Sequence, residues 1–343
     1  MNRTGWDRRL QALWYGDSRV AIALLPFSWL YCALVRVRAL AYRVGLLRRS
    51  CLDCRVIVVG NIAVGGTGKT PLVIAIAKRA QQAGLRVGIL TRGYLGRAEH
   101  WPQQVDGSSD PGQVGDEAVL LARKTGAEVF AGPDRVASGR ALLQASPCDL
   151  LICDDGLQHY ALQADTEIAL VDITRGQGNG LCLPAGPLRE PVSRLRSVDA
   201  VVALGDNRDN RDDRDAAGWP YSMCLVPGAA RNVADPSNDR GLASFHGHTL
   251  HAVAGIGNPE RFFTTLRAAG LSIQAHPFAD HHPFSAADLE FGDGNPVLMT
   301  EKDALKCEQF AQHNWWFVPI EAQPDARLEH WLAKLLNQEA KLG

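Results

Sequence analysis

The stretch VIVVGNIAVGGTGKTPLVIAIAKRA, residues 56–80, decides the fold. A β-branched apolar run reads as a buried strand, and Pro71 with the apolar residues after it opens a helix. Between them, Ala63 to Thr70 form a glycine-rich phosphate-binding loop in its proper strand–loop–helix context. Gly65, Gly66, Thr67 and Gly68 let backbone N–H groups close around phosphate oxygens at the positive end of the helix. Lys69 is placed to reach the outer phosphates, and the Thr70 hydroxyl to ligate Mg²⁺. Two details narrow the class. Ala63 stands where such loops usually begin with glycine. Val64 stands where dimeric partitioning and ion-pump ATPases carry a second lysine. A GTPase would need an Asn-Lys-x-Asp type base reader, and TEKD at 300–303 has the wrong spacing, so ATP is favoured over GTP.

Outward from this loop the pattern alternates strand and helix. Strands are expected at 55–60, 85–90, 127–131, 149–154, 167–173 and 199–205, with helices at 70–83, 116–125 and 134–145. Short, wholly apolar strands separated by helices predict an α/β fold, a mostly parallel sheet of the P-loop NTPase type covered on both faces. The run GDNRDNRDDRDAAG at 205–218 has no apolar residue before Ala216 and marks an exposed boundary. Beyond it the pattern resumes on a smaller scale, with strands at HAVAGI, PVLMT and WWFVPI, a helix after Asn258-Pro259 and another after Thr300. The expected organisation is a basic amphipathic helical segment over 1–50 and a nucleotide-binding α/β domain over 51–205. A charged linker over 206–220, a smaller α/β domain over 221–325 and a C-terminal helix over 326–343, able to pack back on the first domain, complete it.

The net charge of -1 hides an asymmetry: residues 1–55 carry ten Arg against three Asp, leaving the remaining chain acidic. A basic end on an acidic body points to an anionic partner. The uncharged run Val20–Val35 would reach about 24 Å as a helix, short of the roughly 30 Å hydrocarbon core, and Pro26 interrupts it. Arg19, Arg36, Arg38, Arg43, Arg48 and Arg49 flank it, and Trp14, Tyr15, Trp29, Tyr31 and Tyr42 are interspersed. That composition suits a helix lying in a headgroup layer rather than a span or a signal peptide. The eight cysteines are scattered; Cys51 and Cys54 lack the second pair that a structural zinc site needs, and a reducing compartment fits. The mixed charge of 205–218 argues against nucleic acid, and no segment calls for an obligate protein partner.

Several carboxylates and histidines can carry chemistry. Asp154 and Asp155 end an apolar strand beside the phosphate loop, where a Mg²⁺ site needs acidic oxygens. Asp116 at the start of a helix is either an N-cap or a general base for an acceptor hydroxyl. Asp280, His281 and His282 occupy a polar break in the smaller unit, from which a histidine can share a proton with a carboxylate of the first. The loop GNGLCLPAGPLREP at 178–191 ends in Arg189-Glu190 and is suited to an anionic substrate. His246, His248 and His251 form only a weak metal pattern.

Together these strings resemble the tetraacyldisaccharide 4'-kinase family. WYG at 14–16, the loop at 58–71, TRGY at 91–94, GDEAVLLA at 115–122, GPDRVA at 132–137 and DDGLQH at 154–159 fall in order. LPAGPLREP at 183–191, GIGNPERFF at 255–263, FADHHPFS at 278–285 and TEKDALK at 300–306 continue the series. The family's loop commonly lacks the glycine that Ala63 replaces. The resemblance implies transfer of the γ-phosphate of ATP, with Mg²⁺, to the 4'-hydroxyl of a tetraacylated disaccharide 1-phosphate, giving lipid IVA. It places Lys69 and Thr70 at the nucleotide, Asp154 and Asp155 at the metal, and Asp116 as base with His281, or its neighbour His282, as partner. Tyr94, Gln158, His159, Arg189 and Glu190 match further active-site positions. It also implies peripheral docking through residues 1–50 at the cytoplasmic face of the inner membrane, where the lipid acceptor lies. The alternatives are a P-loop GTPase or ATPase of metallochaperone or switch type, and a membrane-binding module with a structural nucleotide.

Overall fold

A computed structural model describes residues 12–16, 20–65, 68–205 and 219–337. Gly66 and Thr67, the charged stretch 206–218, and parts of the 1–50 and 326–343 segments lie outside the described residues.

The first half of the chain forms β1 (Arg55–Asn61), β2 (Val87–Thr91), β3 (Gln103–Val105), β4 (Glu128–Ala131), β5 (Leu150–Asp154), β6 (Thr166–Asp172) and β7 (Ala200–Leu204). Then follow β8 (Tyr221–Pro227), β9 (Ala230–Asn232), β10 (Asp239–Arg240), β11 (Thr249–Ala254), β12 (Ser272–Pro277), β13 (Val297–Thr300), β14 (Trp315–Val318) and β15 (Ile320–Pro324). The helices used below are α1 (Leu25–Arg43), α2 (Lys69–Gln82), α3 (Asp116–Thr125), α4 (Arg135–Ala145), α5 (Pro259–Ala268), α6 (Glu301–Cys307) and α7 (Ala326–Leu336).

Among the described residues a nine-stranded sheet runs β15-β8-β7-β6-β1-β5-β2-β4-β3, and a six-stranded sheet runs β10-β9-β14-β13-β11-β12. In the larger sheet β1 lies between β5 and β6 and is parallel to both, with Val59 opposite Asp154 and Asn61 opposite Leu170. The carboxyl ends of these three strands therefore open on one edge, the crevice where α/β sheets bind ligands. Alternation along β1 supplies both faces. Ile57 and Val59 join the core beneath α2, α3 and α7, while Val56 and Val58 join the core beneath α4.

The smaller unit expected over 221–325 loses both its ends to the larger sheet. Strand β8 pairs parallel with β7, and β15 pairs antiparallel with β8. Helix α7 then buries Leu328, Leu332 and Leu336 in the core of the larger sheet, and its Glu329 is bonded to Arg79 of α2. Periodicity marks a strand but not its partner, so the sheet to which these edges belong was not visible in the sequence. The apolar run is interrupted at Pro26, as expected: a short helix, Val20–Ala23, ends at Leu24, and Pro26 sits in the first turn of α1, where no N–H is needed.

Helix α1 is fixed along one side: the Ser28 hydroxyl donates to the Cys182 carbonyl at 2.7 Å, and the Tyr31 hydroxyl to the Arg189 carbonyl at 3.0 Å. Its other side leaves Trp29, Leu30, Leu34 and Val37 at least 60% exposed. No described helix is long and apolar enough to cross a membrane.

Candidate active site

The phosphate loop leaves β1 at Asn61 and enters α2 at Lys69. Gly65 and Gly68 take φ of 119° and 77°, a region that side chains rarely adopt. Ala63 needs no such freedom, because it pairs as an antiparallel bridge with Leu188. That pairing also draws the 178–191 loop against the phosphate loop: Val64 N–H donates to the Pro187 carbonyl at 2.8 Å, and Arg189 N–H to the Ile62 carbonyl at 2.6 Å.

Lys69 Nζ stands 3.1 Å from Asn61 Oδ1 and 3.2 Å from Asp155 Oδ1. Arg189 approaches the same carboxylate at 3.1 Å. Burial pushes the Asp155 carboxyl up, but Lys69 and Arg189 overcome it and hold the group down at about 2. Asp154 differs. It is 2% exposed, burial and then the Glu117 charge push its carboxyl up to about 7, and its Oδ1 has no hydrogen-bond partner among the described residues. The Thr70 hydroxyl lies 3.5 Å from its Oδ2. A buried carboxylate with an orphaned oxygen beside a threonine hydroxyl fits a hard divalent cation. Asp155, expected as a second metal ligand, is already countered by two cations.

Asp116 is not an N-cap: Gly115 holds that position and Asp116 is the first residue of the helix. It meets His281, whose Nδ1 lies 3.1 Å from Oδ1 and 3.0 Å from Oδ2. His281 is held at φ 58° by its N–H bond to the Gly255 carbonyl, at 3.0 Å. Burial pushes the Asp116 carboxyl up. The His281 hydrogen bond and the charges of Lys302 and Lys306 outweigh it, leaving the group below the usual carboxylate range. His282 instead faces Asp288 at 3.4 Å, away from the cleft.

A cavity of about 690 Å³ joins Lys69, Thr70, Tyr94, Arg189, Glu117 and His281. Gln158 and Glu190 also reach its wall, but largely as scaffold: Gln158 Nε2 donates to Glu190 Oε2 at 2.8 Å and to the Asn61 carbonyl at 3.0 Å. Glu190 is 1% exposed and also accepts from the Tyr160 hydroxyl. His159 is not on this wall; its Nε2 accepts the Arg135 N–H at 3.2 Å. Tyr94 is half exposed, with its ring centroid 5.1 Å from that of His281.

Sequence reasoning missed several residues of the site. Lys302 and Lys306 lie one turn apart on α6, and both face Asp116, at 3.7 and 3.9 Å. The TEKDALK string at 300–306 marks a helix start and matches the family, but carries no local signal of what either lysine faces. Arg261 of α5, on the cavity wall, bonds the buried Asp172 at the end of β6, tying the two sheets together. A charge at a strand end next to the phosphate loop was the available signal for Asp172.

The family model for tetraacyldisaccharide-1-P 4'-kinase matches residues 20–337. The tetraacyldisaccharide 4'-kinase of Nitrosococcus oceani is 50% identical over 328 residues, 96% of this chain and 94% of that protein. That of Alkalilimnicola ehrlichii is 51% identical over 319 residues, 92% and 93% of the two chains. Among solved structures, the "apo" form of LpxK from Aquifex aeolicus in complex with ATP superposes with a TM-score of 0.78 at 27% identity, covering 93% of this chain and 100% of that one. These likenesses favour a kinase over a GTPase, a metallochaperone or a switch ATPase.

Proposed function

The chain belongs to the tetraacyldisaccharide-1-P 4'-kinase family, and from that premise we propose how its own residues transfer the γ-phosphate of ATP to the 4'-hydroxyl of the lipid acceptor. The observation that carries the proposal is the Asp116–His281 pair, in which His281 lines the cavity wall shared with Lys69 and Thr70 and Asp116 lies behind it. Asp116 is the base that takes the acceptor proton, and His281 donates through Nδ1 to keep its carboxylate oriented. Lys69 contacts the outer phosphates, with Asn61 and Asp155 holding its ammonium in place. Backbone N–H groups of the loop, Gly65 to Gly68, and the N-terminus of α2 receive phosphate oxygens. Thr70 and Asp154 are the residues that would hold Mg²⁺, which when bound neutralises phosphate charge. Asp155 serves that site indirectly, through Lys69 and Arg189. Tyr94 and Arg189 line the cavity and are the residues we assign to the acceptor, while Gln158 and Glu190 brace the loop; His159 supports the Arg135 backbone. Closure of the two sheets over bound substrates would exclude water, which limits loss of ATP to hydrolysis.

Docking at the cytoplasmic face of the inner membrane belongs to the same proposal. The acyl chains of the acceptor stay in lipid, and α1 presents Trp29, Leu30, Leu34 and Val37 outward on a segment rich in arginine.

The test is transfer of label from γ-labelled ATP to the disaccharide 1-phosphate lipid in detergent micelles with Mg²⁺. Label in the lipid, at the 4'-position, is expected. Label found only as free phosphate, or guanine preference with no lipid product, would contradict the reading.

A further inference from the structure

Arg175 lies just beyond the end of β6, beside the phosphate loop, and has no part in the chemistry described so far. Its Nη1 stands 3.1 Å from the point that a Cβ on Gly65 would occupy. Gly65 has φ 119° and lines the nucleotide cavity. The guanidinium thus fills the side-chain space of a residue whose backbone borders that cavity. The ring of Tyr15 packs against the same guanidinium, with Arg175 Cζ 5.6 Å from its centroid. Tyr15 is placed in turn by Trp14, whose carbonyl accepts the Asn179 N–H at 2.9 Å and whose Nε1 donates to the Pro184 carbonyl at 3.0 Å. Asp172 is close in sequence, but it bonds Arg261 and the Thr174 N–H and hydroxyl. Among the described residues no carboxylate forms an ion pair with Arg175.

A half-buried guanidinium without an anionic partner, set against a loop that binds polyphosphate, is a cation placed for a ligand. The loop itself is short of one, because Val64 stands where other loops carry a second lysine. Lys69 marks the side on which the outer phosphates lie. Its Nζ reaches Asn61 Oδ1 at 3.1 Å, and Asn61 Nδ2 donates to the Ala63 carbonyl at 2.7 Å, so the ammonium sits over the first half of the loop, where Gly65 also stands. We infer, on the reading that ATP binds at this loop, that Arg175 is a specificity-determining residue of the nucleotide site. Facing the outermost phosphate of ATP across Gly65, it makes the site prefer a triphosphate to a diphosphate. The same preference favours exchange of the product ADP for a fresh ATP after each transfer.

An arginine that only propped the loop would affect every nucleotide alike, so direct binding separates the two roles. The full chain in detergent micelles, with Mg²⁺ and without the lipid acceptor, is titrated calorimetrically with ADP and with the non-hydrolysable β,γ-imido analogue of ATP. Arg175→Gln removes the charge and keeps a polar side chain of moderate length. It is expected to weaken the triphosphate analogue about tenfold and ADP by no more than about threefold, because attraction between charges falls with distance and with screening. Arg175→Lys keeps the charge and guards against a folding defect. It should bind the analogue within about threefold of wild type, since a point charge serves phosphate even without the arginine fork. Equal weakening of both nucleotides in Arg175→Gln, no weakening of either, or a lysine variant as poor as the glutamine one would overturn the assignment. Wild-type protein that binds neither nucleotide would instead overturn the reading of the loop on which it rests.

Discussion

His281 Nδ1 lies 3.0 Å from Asp116 Oδ2, although 165 residues separate the two in sequence. Asp116 begins a helix beside the larger sheet, and His281 follows β12 of the smaller one. The pair exists only when the two sheets face each other across the cavity. Its geometry is thus a readout of their mutual placement.

That pair also sets a stability prediction. The carboxyl of Asp116 is held below its usual range in the folded protein, whereas in the unfolded chain it titrates near about 3.9. Its ionisation therefore stabilises the fold above about pH 4, and the contribution fades as pH falls through the lower folded value. Asp116→Asn should be less stable than wild type at neutral pH, and the gap should narrow as urea titrations are moved from about pH 5 toward pH 3. A gap that widens in acid would have the sign wrong.

Lys69 is held by Asn61 and Asp155 at the mouth of the loop. Lys69→Ala should reduce kcat by about 10²–10³-fold, the usual loss when a preorganised donor to developing charge is removed. The fold should survive, since Asp155 keeps Arg189 as a partner. Steady-state kinetics at saturating ATP check this.

Arg261 and Asp172 join the two sheets, with Asp172 3% exposed. Arg261→Ala leaves a buried carboxylate whose remaining donors among the described residues are the Thr174 N–H and hydroxyl. Denaturant unfolding should show a loss of about 3 kcal/mol, and adding Asp172→Asn should recover part of it. Additive losses would argue that the pair does not act as a unit.

On the outer face of α1, Leu30→Glu with Leu34→Glu removes two exposed apolar side chains. Burying a leucine is worth about 1.5–3 kcal/mol, so co-sedimentation with anionic phospholipid vesicles should weaken by well over tenfold. Unchanged vesicle binding would remove α1 from the membrane proposal.

The larger sheet was mostly legible in the sequence. Apolar runs such as VIVVG at 56–60 and LLIC at 150–153 can be satisfied only by strands covered on both faces. The phosphate loop was legible because glycine, lysine and threonine at that spacing have few other uses. The strands β8 and β15 were harder, being only partly buried and paired with segments far away in the chain. Lys302 was harder still. Nothing in the local pattern of a helix start reveals a contact with a histidine twenty-one residues earlier, or with Asp116 on the other sheet. Local chemistry names candidates, and only the placement of the two sheets selects among them. That is why Glu190 and Gln158 resolve into a brace and Asp155 into a partner of Lys69.

The most direct test of the account is the single-turnover rate of phosphoryl transfer, with enzyme in excess over γ-labelled ATP and the lipid acceptor saturating, for wild type and Asp116→Asn. The account predicts a rate lower by about 10²–10⁴-fold in the variant, with ATP affinity unchanged because Asp116 touches His281 and not the phosphate loop. A variant that transfers phosphate within tenfold of the wild-type rate would contradict it.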